Sequence, residues 1–244
     1  MKEYGFKNVL VHFCGNSAKK TGRLDTVLQA LDQEGIAYVT LGGVQANPTL
    51  SMARQGIELC QKEGVELILA VGGGSVLDSS KCIADGVGNP DVDVWKFFTK
   101  EAVPQKALPV GTILTLAASG SEMSNSCVIT NEEGGFKRGF GSVTHRPLFS
   151  ICNPELTYTV SKFQTGCGTV DIMMHTMERY FGLGEGTPVT DRIAEGLLKS
   201  VVEAGKVADQ DPCNYEARAN LMWAGSLSHN DLTHAGRSFF MQVH

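Results

Sequence analysis

The chain has 244 residues, a formal net charge of −5 at pH 7 and seven cysteines. This weakly acidic composition without a basic run argues against nucleic acid or an anionic membrane as the main partner. No apolar stretch approaches the ~20 residues of a membrane-spanning helix, and the N-terminus lacks a signal-peptide pattern. Because the cysteines are scattered and form no C-x-x-C pair, we expect reduced thiols in a cytoplasmic globular protein.

The first third of the chain repeats the order strand, loop, helix three times. Apolar runs predict buried strands at 7–13, 37–41 and 67–71, and periodic patterns predict helices at 24–34, 49–63 and 75–86. Such short connections predict a parallel sheet covered by helices on both faces. Ligands of these folds bind at the carboxyl ends of the strands.

The third strand ends at the three consecutive glycines of LILAVGGGSVLDSSK. Gly72, Gly73 and Gly74 lead directly into a helix for which Ser75 is the predicted N-cap. Free backbone N–H groups and a helix dipole meet at this loop, which predicts a phosphate site. The alternative is a tight turn in which the glycines only permit positive φ. Neither of the two best-known phosphate signatures is present.

The rest of the chain changes from mixed structure to helices. We predict a short helix around Trp95, a strand at 108–116, a hairpin at 134–146, a strand at 148–152, and helices at 164–181, 191–208 and 215–230. The predicted domains are therefore an α/β domain at 1–155 and a helical domain at 156–244. Both ends are abrupt, because the chain starts almost on a strand and stops in a helical rhythm, so we expect a chain truncated at both ends.

Asp171 and His175 are a candidate metal site in the helical domain. At i and i+4 their side chains project from one face of a helix. The residues around them are mostly apolar, which predicts a buried helix, and a divalent cation would compensate a buried carboxylate and imidazole. The alternative is an exposed Asp-His ion pair. His229, His234 and His244 are the other histidines of this domain.

Several motifs carry a family resemblance along most of the chain. They are GNSAKKTG, ANP, GGGSVLDSSK, LTLAASGSEMS, NPELTYT and GTVDIMMHTMERYF. The chain resembles the iron-containing (group III) alcohol dehydrogenase family, in its butanol-dehydrogenase-like, aldehyde-reducing branch. The resemblance implies an α/β plus all-α fold, with an N-terminal Rossmann-like dinucleotide-binding domain and a C-terminal helical metal-binding domain.

The resemblance also implies which residues form the sites. For the metal, Fe²⁺ or Zn²⁺, it implies Asp171, His175 and His244, while the fourth family ligand has no position in this sequence. For the dinucleotide it implies Gly15, Asn16, Ser17, Asn47, Gly72, Gly73, Gly74, Ser75, Thr115 and Lys137. Gly15, Asn16 and Ser17 match the loop at the adenosine ribose. This loop has no acidic residue and is followed by Lys19 and Lys20, which favours NADP over NAD. A surface lysine is the alternative for Lys137.

The implied function is reversible hydride transfer between a nicotinamide and a primary alcohol or aldehyde such as butanol or butanal, with a metal as Lewis acid. The implied assembly is a homodimer. Two alternatives stay open. One is a relative of glycerol dehydrogenase or dehydroquinate synthase, and the other is a non-catalytic nucleotide-binding fragment. Because the implied metal site is incomplete, we expect this chain to bind cofactor but to hold metal poorly.

Overall fold

The computed structural model describes residues 1–15, 22–184 and 186–238, which form two units. The first contains Met1–Ile113 and Asn125–Ile151, and the second contains Leu114–Ser124 and the residues from Cys152 onward. The sequence-predicted boundary between residues 155 and 156 stays a prediction. None of the described helices is long and apolar enough to cross a membrane.

The first unit is built on a five-stranded sheet in the order β2-β1-β3-β4-β7. Strand β1 pairs in parallel with both β2 and β3, and β4 pairs in parallel with β7. The strands are β1 (Asn8–Cys14), β2 (Ala37–Val44), β3 (Leu67–Gly72), β4 (Val110–Leu114) and β7 (Phe149–Ile151). Every residue of β3 is buried, as expected for a strand that is covered on both faces.

Three long helices follow the first three strands, as predicted. They are α1 (Arg23–Gln33), α2 (Leu50–Glu63) and α3 (Gly74–Gly88), and a short helix α4 (Trp95–Phe98) comes next. Capping residues explain where α2 begins and ends. Thr49 Oγ1 accepts a hydrogen bond from Met52 N, and Gly64 ends the helix in a left-handed conformation with φ 63°.

Two predictions in the first unit are wrong in detail. The second strand was predicted at 37–41, but β2 continues to Val44. A Cβ at Gly42 would lie 2.5 Å from the Phe13 ring, so this glycine makes room for an aromatic side chain of β1. The hairpin expected at 134–146 consists of β5 (Ser126–Asn131) and β6 (Phe136–Gly141), which pair antiparallel. Burial alternates along β5, with Cys127 and Ile129 buried.

The second unit is helical, as predicted, with α5 (Lys162–Tyr180), α6 (Pro188–Gln210) and α7 (Tyr215–Ser228). Ile172, Val201 and Leu221, one from each helix, lie in its apolar core. The expectation of a buried α5 is only half right. His175 is buried, but the side chain of Val170 is 56% exposed, so α5 is amphipathic with one face toward the core.

Candidate dinucleotide and metal sites

The glycine loop joins β3 to α3 without a gap. Helix α3 begins at Gly74, and its N-cap is Gly73, which has no side chain to cap the first turn. The prediction that Ser75 is the N-cap is therefore wrong, because Ser75 lies inside the first turn. A helix that starts without a side-chain cap leaves its first N–H groups to another acceptor, and an anion is a suitable one.

Gly72 packs closely against the first turn of α3. A Cβ at this position would lie 2.5 Å from Cγ2 of Val76. Any larger residue would push the first turn of α3 away from the end of β3. The glycines thus have a packing role in addition to the predicted phosphate role, and the two interpretations are compatible.

Other predicted dinucleotide residues lie at the same edge of the sheet. Gly15 follows the last residue of β1, and the glycine loop follows β3. Asn47 lies in the loop after β2 and has a positive φ of 58°. Because β2, β1 and β3 are parallel neighbours, these three loops leave the sheet at one end.

The remaining predicted residues are elsewhere or are not described. Lys137 lies on β6 opposite Thr130, with an exposed side chain. Thr115 directly follows β4 in the chain and belongs to the second unit. Asn16 and Ser17 lie outside the described residues, as do Lys19 and Lys20.

Helix α3 also holds the hairpin that carries Lys137. The fully buried Lys81 donates from Nζ to the carbonyl oxygen of Ser126, at 2.9 Å. Asp78 Oδ2 accepts a hydrogen bond from Val128 N, at 3.1 Å. The Asp and Lys of the GGGSVLDSSK motif therefore fix β5 against the helix that begins at the glycine loop.

His12 is a buried residue that sequence analysis passed over. Its Nδ1–H donates to the carbonyl oxygen of Leu41 at 2.8 Å, and Ser79 Oγ–H donates to its Nε2 at 2.9 Å. Burial lowers the pKa of His12 to about 4. A neutral imidazole therefore links β1, β2 and α3 behind the glycine loop. The only sequence signal was a histidine inside an apolar run.

A second buried pair was also missed. Asp85 Oδ2 lies 2.6 Å from His145 Nε2, and both side chains are fully buried. His145 Nδ1–H donates to the carbonyl oxygen of Asn125, at 2.9 Å. Both ring nitrogens thus face oxygen atoms, one of a backbone carbonyl and one of the Asp85 carboxyl group. The pair ties α3 to the segment before β7.

The second unit places Asp171 and His175 one turn apart on α5. His175 Nε2 lies 3.8 Å from Asp171 Oδ1, with the His175 side chain buried and the Asp171 side chain 32% exposed. One turn further along α5, Arg179 Nη1 donates a hydrogen bond to the carbonyl oxygen of His175, at 2.8 Å. The ring of His175 contacts the ring of His229.

A carboxylate and an imidazole that share one helix face are a donor set that suits a divalent cation such as iron or zinc. His244, the third predicted ligand, lies outside the described residues. Within residues 1–15, 22–184 and 186–238, no group of three or more His, Cys, Asp or Glu side chains is arranged to hold a metal. The side-chain types of Asp171 and His175 fit the predicted metal, and their role as ligands stays a prediction.

Known protein families match both units. The family described as "Iron-containing alcohol dehydrogenase" matches residues 1–154, and "Fe-containing alcohol dehydrogenase family, C-terminal" matches residues 165–240. The chain therefore belongs to the iron-containing alcohol dehydrogenase family. The resemblance predicted from its motifs is confirmed.

Individual relatives support the same branch and fold. NADH-dependent butanol dehydrogenase A of Clostridium acetobutylicum is 45% identical over 97% of this chain and 60% of the relative. The NADPH-dependent aldehyde reductase YqhD of Escherichia coli is 39% identical over 93% of this chain and 59% of the relative. A crystal structure of NADH-dependent butanol dehydrogenase A from Thermotoga maritima, 38% identical, matches with a TM-score of 0.94 and covers 98% of this chain and 59% of that one. The chain thus spans about 60% of their length.

Proposed function

We propose that this chain is part of an NAD(P)-linked, metal-dependent alcohol dehydrogenase or aldehyde reductase. The reaction is reversible hydride transfer between a nicotinamide and a primary alcohol or aldehyde such as butanol or butanal. The observation that carries the proposal is the family match over residues 1–154 and 165–240. The relatives named butanol dehydrogenase and aldehyde reductase support the substrate class.

In this proposal the first unit binds most of the dinucleotide. Gly72, Gly73, Gly74 and Ser75 hold the pyrophosphate through backbone N–H groups at the start of α3. The other proposed contacts are Gly15, Asn16 and Ser17 at the adenosine ribose, Asn47 and Lys137 at further positions, and Thr115 at the nicotinamide half. The parallel sheet supports this role because three of the loops leave it at one end.

Asp171, His175 and His244 are the proposed ligands of Fe²⁺ or Zn²⁺. Such a cation acts as a Lewis acid toward the oxygen of the substrate. The chain's own contribution is to hold the carboxylate and the imidazole at one point on α5, with the backbone of His175 supported by Arg179. No protein nucleophile is required for hydride transfer.

Three further proposals concern the domains, the assembly and the location of the protein. We propose two domains with a boundary near residue 155, a homodimer, and a cytoplasmic location. The free thiols of all seven cysteines favour a reducing compartment. For the cofactor, we propose a preference for NADP.

The test is reduction of butanal by the full-length protein of which this chain is part, after reconstitution with Fe²⁺ under anaerobic conditions. We expect turnover with NADPH or NADH, and a loss of about 100-fold or more in kcat/KM in Asp171→Asn, because a ligand of the cation is lost. Asp209→Asn, at an exposed position of α6, is the matched control. Cofactor binding without turnover of any aldehyde would contradict the proposal and favour a non-catalytic nucleotide-binding module.

A further inference from the structure

His229 directly follows α7, and its ring covers one side of the ring of His175. The two ring centroids are 4.3 Å apart, and the ring planes are inclined by 38°. His175 is one of the two described metal ligands that we propose. A second imidazole thus packs against a ligand on which the metal site depends.

The position of His229 is itself fixed from two sides. Its Nδ1–H donates to the carbonyl oxygen of Ser119 at 2.8 Å, and the proton is on Nδ1 because a carbonyl oxygen can only accept. The next residue, Gly120, has a φ of 63°, and a Cβ there would lie 2.4 Å from the carbonyl oxygen of Gly225 and 2.9 Å from Cβ of His229. The backbone at 119–120 therefore packs directly on the end of α7.

A fixed neighbour matters because an imidazole ligand has a rotatable ring. Rotation about the Cβ–Cγ bond of His175 moves Nε2, which now lies 3.8 Å from Asp171 Oδ1. A ring packed at 4.3 Å restricts that rotation. Groups that orient a metal ligand typically change metal affinity by about 10- to 100-fold when they are removed, because a ligand held only by its own backbone is too loose.

We propose that His229 is a positioning residue, which restricts rotation of the ring of His175 beside Asp171. The hydrogen bond to Ser119 orients His229, and the ring of His229 acts on His175 by contact. This inference rests on the proposed metal role of Asp171 and His175. It adds a residue outside the implied ligand set of Asp171, His175 and His244.

The experiment titrates the metal-free full-length protein, of which this chain is part, with Co²⁺ and records the visible absorption of the bound ion, a signal that reports ligand geometry independently of activity. His229→Asn keeps an N–H donor for the Ser119 carbonyl and removes the ring. His229→Phe keeps an aromatic ring against His175 and removes the donor. Phe163→Asn, at an exposed position of the same helix as the ligands, is the control, and thermal unfolding of each variant reports folding.

We expect His229→Asn to weaken Co²⁺ binding by about tenfold or more and to change the absorption bands. The Co²⁺ affinity and absorption bands of His229→Phe should stay much closer to those of wild type, and those of the control should match wild type. Unchanged affinity and spectrum in His229→Asn would overturn the inference, as would equal weakening in Asn and Phe variants. If His229→Asn does not fold, His229→Gln replaces it with the same expected result. Wild type without bound Co²⁺ would overturn the proposed metal site together with this inference.

Discussion

Single buried polar residues in the first unit have specific hydrogen-bond partners. His12 is the clearest case, since its Nδ1–H donates to the carbonyl oxygen of Leu41 and its Nε2 pairs with Ser79 Oγ in a fully buried site. Burial disfavours the charged ring, and this lowers the pKa of His12. The folded protein therefore binds a proton at His12 less readily than the unfolded chain does.

Folding stability should depend on this residue below neutral pH. The pKa of His12 is about 4 in the folded protein and near 6.5 when the chain is unfolded, so the folded state loses up to about 3 kcal/mol as the pH falls from about 6.5 to about 4. His12→Gln removes this titration. We expect the difference in unfolding free energy between wild type and variant to fall with pH over that range in urea denaturation. A difference that does not change with pH would contradict the assignment.

Gly73 provides a residue-scale test of the glycine loop. Gly73→Val places a branched side chain at the N-cap of α3, where we propose that the pyrophosphate approaches the backbone. We expect the dissociation constant of NADPH, measured by calorimetry, to rise by about tenfold or more, the equivalent of one lost charge-assisted contact. Gly196→Val is the matched control, because a Cβ at Gly196 meets no atom within 4 Å. Wild-type affinity in Gly73→Val would show that the loop is only a turn.

At the scale of elements, α3 connects the proposed pyrophosphate loop to the hairpin. Lys81 and Asp78 reach β5 from one face of the helix, while Asp85 pairs with His145 beyond the hairpin. A single helix thus begins at the proposed pyrophosphate loop and also fixes the hairpin that carries Lys137. These contacts are structural, although Asp78 and Lys81 belong to one of the motifs that indicated the family.

Lys81→Met should loosen the hairpin specifically. It removes a buried charged donor from the carbonyl oxygen of Ser126, and loss of such a bond costs about 1.5–3 kcal/mol. We expect amide hydrogen exchange in β5 and β6 to accelerate by about tenfold or more, while β1 and β3 stay protected. Lys106→Met, at an exposed position, is the control. Equal acceleration in the sheet and the hairpin would indicate a global effect instead.

The elements differ in how far the sequence predicted them. Strands such as β3 and helices such as α6 were found because their apolar residues recur with the periods of buried structure. The predicted range of the hairpin was wrong because β6 is exposed and glycine-rich, so its apolar pattern is weak. The Asp85–His145 pair could not be predicted, since its members are 60 residues apart and only the tertiary fold brings them together. The contact of His229 with His175 was hidden for the same reason.

At the scale of the whole molecule, both units match models of one family. Membership of this family does not by itself decide between NAD and NADP. The relatives are named as NADH-dependent and as NADPH-dependent enzymes. We predict NADP for this chain because Gly15, Asn16 and Ser17 include no acidic residue.

Asn16→Asp should shift this preference toward NAD. A carboxylate at this position would repel the 2′-phosphate of NADP and could accept hydrogen bonds from the ribose hydroxyls of NAD. We expect the ratio of kcat/KM for NADPH over NADH to fall by about tenfold or more, the usual effect of an unfavourable charge contact of about 1.4 kcal/mol. Asn220→Asp, on the exposed side of α7, is the control. A wild-type ratio that favours NADH would contradict the predicted preference.

The central claim is hydride transfer between a nicotinamide and a primary alcohol or aldehyde, and isotope transfer tests it most directly. The protein, reconstituted with Fe²⁺, is incubated with butanal and NADPH or NADH that carries deuterium at C4 of the nicotinamide, in ordinary water. Mass spectrometry of the butanol then shows the origin of the new C–H bond. We predict that one stereoisomer of the labelled cofactor delivers deuterium to C1 of butanol and that Asp171→Asn forms little or none. Butanol without deuterium from either stereoisomer, or no butanol in the presence of bound metal and cofactor, would contradict the account.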